Sequence, residues 1–98
     1  MPFMIETFDK PGHQAVRQQH RAAHLAFLDV NKELLLACGA KLHDDGSDLG
    51  GGLYVVALES RAAAQAFIEA DPFFQAGLFE TVRITRWRKA YVAGTCHL

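Results

Sequence analysis

Residues 53–70 read LYVVALESRAAAQAFIEA, and this stretch joins two kinds of secondary structure. Its first part, up to Glu59, is rich in aromatic and β-branched side chains, which favour a strand. Ser60 is a favourable N-cap, and the alanine-rich segment 61–70 that follows it favours a helix. Pro72 cannot continue that helix. The buried stripe predicted for the helix consists of Ala63, Ala66, Phe67 and Ala70.

The preceding segment predicts a strand, a helix and a second strand. Residues 2–8 alternate roughly between apolar and polar side chains and stop at the sequence DKPG, as expected of a first strand. From His13 onward apolar residues recur at steps of three and four, which is the period of a helix. Residues 33–40 form a short apolar run, which predicts a buried second strand, and composition predicts a flexible loop over residues 43–52. The stripe predicted for this first helix consists of Val16, His20, Ala23, Phe27, Val30 and Leu34.

The following segment predicts one more turn of helix and a last strand. Asp71 and Pro72 favour a short helix over residues 73–76 that ends at Gly77, and residues 78–89 alternate as a strand does. The tail, residues 92–98, is predicted to be irregular. The resulting order, βαββαβ, predicts a single ferredoxin-like α+β domain over residues 1–98, with helices on one face of an antiparallel sheet. The other face must be solvated or covered by a second copy, and the 50% hydrophobic content favours a homodimer whose two sheets form a shared α/β barrel.

Charge and hydropathy argue against two classes of partner. The formal net charge of −1 gives no long-range attraction for nucleic acid or an anionic membrane. The apolar runs are far shorter than a membrane span, so no membrane partner is predicted. Basic residues gather late in the chain, where a solvated strand face explains them better than a nucleic-acid site: Arg83, Arg86, Arg88 and Lys89.

The two cysteines indicate a reducing compartment. Cys38 and Cys96 are far apart and form no CxxC motif, so neither a disulfide framework nor a redox site is predicted. Cys38 lies in an apolar run and is predicted to be a small core residue. Reduced thiols and the lack of a leader pattern predict a cytoplasmic protein.

His24 and Asp71 are the residues best suited to chemistry. A neutral imidazole accepts a proton near neutral pH, and a carboxylate on its other nitrogen fixes the tautomer. Each residue also has a simpler explanation, since His24 could bond a backbone group at the edge of the core and Asp71 could merely cap the turn that begins at Pro72. Residue type and spacing alone leave both alternatives open and favour the simpler one.

His20 and His24 share a helix face, as paired metal ligands on a helix do. Arg21 stands where the HExxH signature requires glutamate, and no third ligand is placed nearby, so no metal site is predicted. His20 is expected to pack on the apolar stripe or to line a cavity. The glycines and carboxylates of residues 43–52 fit neither a phosphate-binding loop nor a calcium loop, and no cofactor is predicted.

Several motifs occur in a fixed order along the chain. They are a first strand, RxxHL at residues 21–25, a leucine-rich strand ending in Gly39, LES at residues 58–60 before an alanine-rich helix, ADPF at residues 70–73 with AG at residues 76–77, and a last strand ending in basic residues. In this order and spacing the chain resembles the YciI-like (YCII-related) proteins over nearly its whole length. The resemblance implies a ferredoxin-like fold in a dimeric α/β barrel and an active site built on a His–Asp pair.

Carried over by position, the pair is His24 and Asp71, and Arg21 could orient an anionic substrate or the pair itself. His20, one turn earlier, is assigned with Arg21 to substrate binding. Ala40 departs from the pattern, because many members have proline after the glycine that corresponds to Gly39. That departure lies near the pocket and leaves its substrate open.

The leading hypothesis is a small, cofactor-independent enzyme in which His24, oriented by Asp71, moves a proton on a small cyclic or aromatic substrate. Lyases, isomerases and dehydrochlorinases of the same broad barrel class are the analogies. A competing hypothesis is a non-catalytic ligand-binding or accessory dimer that keeps the pair for pocket polarity. A third is a structural module in which the dimer itself is the function.

Overall fold

The computed structural model describes residues 1–98, and its centre is an antiparallel sheet of four strands in the order β2-β3-β1-β4. Strand β1 lies inside the sheet and pairs with both β3 and β4. This order and the helices between the strands confirm the predicted ferredoxin-like α+β fold. The strands are β1 (Phe3–Asp9), β2 (Leu35–Leu42), β3 (Asp48–Val56) and β4 (Phe79–Arg86).

Three helices accompany the sheet: α1 (Gln14–Val30), α2 (Arg61–Glu69) and α3 (Pro72–Gln75). A 3₁₀ turn over Lys32–Leu34 joins α1 to β2. Ser60 caps α2 as predicted, because its hydroxyl accepts a hydrogen bond from the backbone N–H of Ala63 at 3.1 Å. The helices are too short or too polar to span a membrane.

The core lies between the sheet and α2. Alternate residues of β1 and β3 point toward the helices, and α2 contributes one buried face. These side chains form one continuous apolar cluster: Phe3, Ile5, Tyr54, Val56, Ala64, Phe67 and Ile68. Burial of this cluster is the main contribution to stability, at roughly 25 cal/mol for each Å² of apolar surface removed from water.

Both helices are rotated relative to the predicted stripes. In α2 the buried residues are Ala64, Phe67 and Ile68, whereas Ala66 and Ala70 are exposed. The predicted stripe is therefore right at Phe67, and elsewhere the buried residues lie about one position away from the predicted ones. The physical reason is that burying the large Ile68 side chain removes more apolar surface from water than burying either alanine.

In α1 the prediction is right at Phe27, which packs on the core, and wrong at Ala23 and Val30. Val30 is 82% exposed. Helix α1 packs mainly against α3, and it has no fully buried residue. Its inner face meets Phe67 of α2 through Phe27 and Asp71 through His24, so it carries a polar side chain beside apolar ones.

Strand β2 is an edge strand and most of it is exposed, so the prediction of a buried strand is wrong. Cys38 is likewise exposed and is not a core residue. A cavity separates α1 from the helix-facing side of β2, so this side of the strand is left partly open.

The predicted loop over residues 43–52 is much shorter in the structure. Only residues 43–47 form a connection, and the three glycines lie inside β3. Gly51 and Gly52 are buried, because the strands on both sides pair with this part of β3.

The tail is also more ordered than predicted. It forms a small hairpin of β5 (Tyr91–Val92) and β6 (Thr95–Cys96). Ala93 and Gly94 both have positive φ angles, of 49° and 80°, which is the pattern of a tight two-residue hairpin turn.

Candidate active site

Asp71 lies at the junction of α2 and α3 and is completely buried. As predicted, it caps the following helix, because its Oδ1 accepts a hydrogen bond from the backbone N–H of Phe73 at 2.9 Å. The hydroxyl of Tyr54 donates to its Oδ2 at 2.8 Å. A buried carboxylate needs such partners, since an unpaired one would be very costly to desolvate.

His24 approaches the same carboxylate from α1. Its Nδ1 lies 2.9 Å from Oδ2 and 3.0 Å from Oδ1 of Asp71. The imidazole stacks on the Phe73 ring with centroids 4.0 Å apart and meets the Tyr54 ring edge-on. The structure therefore brings together two residues that are 47 positions apart in the sequence.

The proton positions in this cluster follow from the hydrogen-bonding groups. The Tyr54 O–H and the Phe73 N–H both donate to Asp71, which fits an ionised carboxylate that only accepts. Nδ1 of His24 then carries the proton, and Nε2 keeps a free lone pair. Nε2 makes no hydrogen bond within the chain, and no buried side-chain nitrogen lacks a partner, so Nε2 is open to solvent.

Tyr54 is a site residue that the sequence analysis missed. The sequence predicts Tyr54 only as part of a strong strand, and the partner of its hydroxyl has no local signal. Burial and the adjacent Asp71 charge raise the pKa of Tyr54 far above its ordinary value, so the phenol stays protonated and donates to the carboxylate. The one signal that could have identified Tyr54 is a tyrosine on a strand predicted to lie in the core, because a buried phenol needs a hydrogen-bond partner.

A cavity of about 220 Å³ lies beside His24, between α1 and the open side of β2 and β3. Arg21, which the sequence assigns to substrate binding, lines it. His20 does not line it, so the cavity gives no support to the predicted substrate role of His20. The lining residues are Arg17, Arg21, His24, Leu25, Leu28, Cys38, Gly39, Ala40, Gly51, Gly52, Tyr54 and Phe73.

Arg17 is a second residue that the sequence analysis missed. Its Nε donates to Oδ2 of Asp9 at 2.7 Å, and its Nη2 donates to Oδ1 at 3.1 Å. Burial alone would lower the pKa of Arg17, but the hydrogen bond and the charge of Asp9 outweigh it and raise the pKa. The guanidinium also lies over the Phe73 ring, 4.7 Å from its centroid.

Cys38 faces the cavity from the edge strand. Part of its surface is exposed, yet the surrounding wall removes water from the thiol. This desolvation, together with the charge of Asp71, raises the pKa of Cys38 to about 11. The thiol is therefore protonated near neutral pH and is a poor nucleophile.

The structure contains no group of three or more His, Cys, Asp or Glu side chains that could hold a metal ion. His24 already directs one nitrogen at Asp71. The prediction of a site without metal stays a prediction.

The family model and the relatives that match this chain indicate the same family. The model of the YCII-related domain matches residues 1–88. Protein YciI of Escherichia coli O6:H1 is 33% identical over an alignment of 98 positions, which covers 93% of this chain and all of the relative. Protein YciI of Shigella flexneri matches equally well.

A solved structure is also similar. It is the 5-chloro-2-hydroxyhydroquinone dehydrochlorinase (TftG) of Burkholderia phenoliruptrix in complex with 2,5-dihydroxybenzoquinone. The similarity covers 90% of this chain and 94% of that protein, with 36% identity and a TM-score of 0.82. The family model and these relatives together show that the chain belongs to the YCII-related domain family.

Proposed function

We propose that the protein is a small enzyme in which His24 moves a proton on a small ring compound and Asp71 orients the histidine. The observation that carries this proposal is the pairing of Nδ1 with a buried carboxylate while Nε2 stays open beside a cavity. A base held by a second group in this way is a recurring device of proton-transfer enzymes.

The chemistry follows from the two nitrogens. Nε2 takes a proton from the substrate, and the imidazolium that forms is stabilised by the Asp71 carboxylate on Nδ1. Tyr54 and the Phe73 N–H hold that carboxylate in place throughout, so the pair does not reorganise during the step. The proton then returns to the product or leaves to water.

The similarity to TftG supports a dehydrochlorinase-like reaction among the lyase and isomerase alternatives. Loss of HCl removes one proton and one chloride ion from the substrate, and the chloride leaves with the electron pair of its bond to carbon. His24 would accept the proton. The substrate proposed for this chain is therefore a small hydroxylated ring that carries chlorine.

The test uses 5-chloro-2-hydroxyhydroquinone as substrate and measures chloride release. We expect the wild-type protein to release chloride and His24→Ala to be at least about 100-fold slower, because a positioned acid–base group contributes about that much or more. His43→Ala, at an exposed histidine outside the cavity, is the matched control and should keep the wild-type rate.

Circular dichroism and thermal unfolding establish that the His24→Ala variant is folded. A folded His24→Ala variant with the wild-type rate contradicts the proposal. Tight binding of the ring compound by the wild-type protein without chloride release favours the alternative of a non-catalytic binding protein.

A further inference from the structure

Arg17 lies two turns before His24 on α1 and borders the same cavity. Its two hydrogen bonds to Asp9 form a fork that fixes the plane of the guanidinium. The side chains of Arg17 and Asp9 are only 13% and 9% exposed, so water competes little for this ion pair. The cation is therefore held in one place, unlike an arginine on a free surface.

The hydrogen-bonding groups of Arg17 are only partly used. Asp9 takes one N–H from Nε and one from Nη2, and a guanidinium has five. Nη1 makes no hydrogen bond within the chain, and no buried side-chain nitrogen lacks a partner. Nη1 is therefore open to solvent and available to a ligand.

Arg17 and His24 both pack against the Phe73 ring. The Phe73 ring contacts the guanidinium at 4.7 Å and the imidazole at 4.0 Å, both measured between centres. A molecule of one ring could reach both groups from the cavity. The cavity volume of about 220 Å³ is smaller than the pockets that hold drug-sized ligands, which also fits one ring.

The cavity wall carries two guanidinium groups, of which Arg17 is paired with Asp9 and Arg21 has no acidic partner in the chain. Arg17 and Arg21 line the cavity, and no Asp or Glu side chain does. Asp71 lies buried behind His24, where its oxygens accept from three donors of the chain. Asp9 borders a neighbouring cleft, which Arg17 lines as well.

The wall opposite α1 is formed by small residues of the sheet. Ala40, Gly51 and Gly52 present little side chain there. A flat ring can lie close to such a wall, whereas a bulky or branched ligand gains no room from it. The guanidinium groups and the flat wall of the cavity thus both indicate a small planar anion as the ligand.

We propose that Arg17, held by Asp9, binds an ionised oxygen of the substrate, so that the site selects planar hydroxylated rings in their phenolate or enolate form. This inference rests on the proposed function, because it takes the cavity beside His24 as the substrate site. Arg17 acts here as a specificity-determining residue, and His24 remains the group that moves the proton.

The experiment compares two probes by isothermal titration calorimetry. One is 2,5-dihydroxybenzoquinone, whose hydroxyl groups ionise, and the other is 2,5-dimethoxybenzoquinone, which has the same ring and cannot ionise. We expect the wild-type protein to bind the first at least 10-fold more tightly. Arg17→Gln should remove most of that preference with little effect on the dimethoxy compound, and Arg17→Lys should keep part of it.

Arg88→Gln is the matched control, because it removes the same charge at an exposed arginine that does not line this cavity. It should keep the wild-type preference. If Arg17→Gln unfolds because Asp9 is left unpaired, the double variant Asp9→Asn with Arg17→Gln keeps the two side chains hydrogen-bonded and removes both charges. A folded Arg17 variant that keeps the full preference overturns the inference, as does an equal loss in Arg88→Gln.

A wild-type protein that shows no preference between the two probes also overturns it. The outcome is separable from that of the proposed function. Binding that discriminates the two quinones through Arg17, together with chloride release that does not depend on His24, contradicts the proposed function alone. Turnover that depends on His24 without any role of Arg17 contradicts only this inference.

Discussion

At the scale of single residues, Asp71 both caps a helix and contacts His24, two arrangements that the sequence presents as alternatives. Its Oδ1 caps α3 through the Phe73 N–H, and its Oδ2 accepts from Tyr54. Nδ1 of His24 lies within hydrogen-bonding distance of both oxygens. A carboxylate has enough lone pairs for all three partners, so capping a helix does not prevent it from orienting a base.

The Tyr54 hydroxyl is expected to stabilise this arrangement. Tyr54→Phe removes one donor to a fully buried carboxylate, so we expect the free energy of unfolding to fall by about 1–3 kcal/mol. Chloride release should also fall severalfold, because Asp71 holds His24 less firmly. Urea unfolding and the chloride assay measure the two effects.

Tyr91→Phe is the control for this substitution, since Tyr91 is 64% exposed in the terminal hairpin. It should change neither quantity. Unchanged stability in Tyr54→Phe would mean that the hydroxyl does not support the carboxylate.

At the scale of secondary structure elements, β3 depends on its glycines. Gly51 has a φ of +125°, a conformation that residues with a side chain rarely adopt, and a Cβ there would overlap the carbonyl oxygen of Thr7. At Gly52 a Cβ would lie 2.9 Å from the carbonyl oxygen of Gly39. The neighbouring strands thus approach β3 closely, and the same glycines keep the cavity wall free of side chains.

Gly51→Ala should therefore be strongly destabilising. We expect a loss of at least about 2 kcal/mol in the free energy of unfolding, from backbone strain and from the clash with Thr7. The matched control is Gly39→Ala on β2, where a Cβ meets nothing within 4 Å and φ is not positive. Urea unfolding of both variants is the measurement, and equal effects would contradict the role assigned to Gly51.

At the scale of the whole molecule, the helices lie on one face of the sheet and leave the other face uncovered. On that outer face Met4 pairs across the strands with Val55, which is 8% exposed, and Glu6 pairs with Leu53, which is 37% exposed. The Lys41 ammonium lies 3.5 Å from the centroid of the Phe8 ring. An apolar strip with charged neighbours is a surface that a second copy could cover.

The homodimer stays a prediction, and its test is the oligomeric state. We expect the wild-type protein to sediment as a dimer and Leu53→Glu to sediment as a monomer, because a carboxylate on the outer face would be buried without a partner. Val30→Glu, at a position that is 82% exposed on α1, should remain dimeric. A monomeric wild-type protein at micromolar concentration would contradict the prediction.

Local sequence is sufficient to predict the order of the four sheet strands and the helices between them, the cap at Ser60 and the cap of α3 at Asp71. These features depend on residues within a few positions of one another, so local propensity and capping decide them. The resemblance to the YciI-like proteins then identified His24 and Asp71 as a pair, which their types and spacing had left open.

Three features follow only from the three-dimensional packing: the faces of α1 and α2 that point inward, the exposure of β2, and the hydrogen bond from Tyr54 to Asp71. The packing also places Arg17 against Asp9 at the cavity. These features depend on contacts between side chains that are distant along the chain, and no local pattern encodes them. Burial of the largest apolar surface sets how each helix is rotated, and that rotation determines which polar side chains meet.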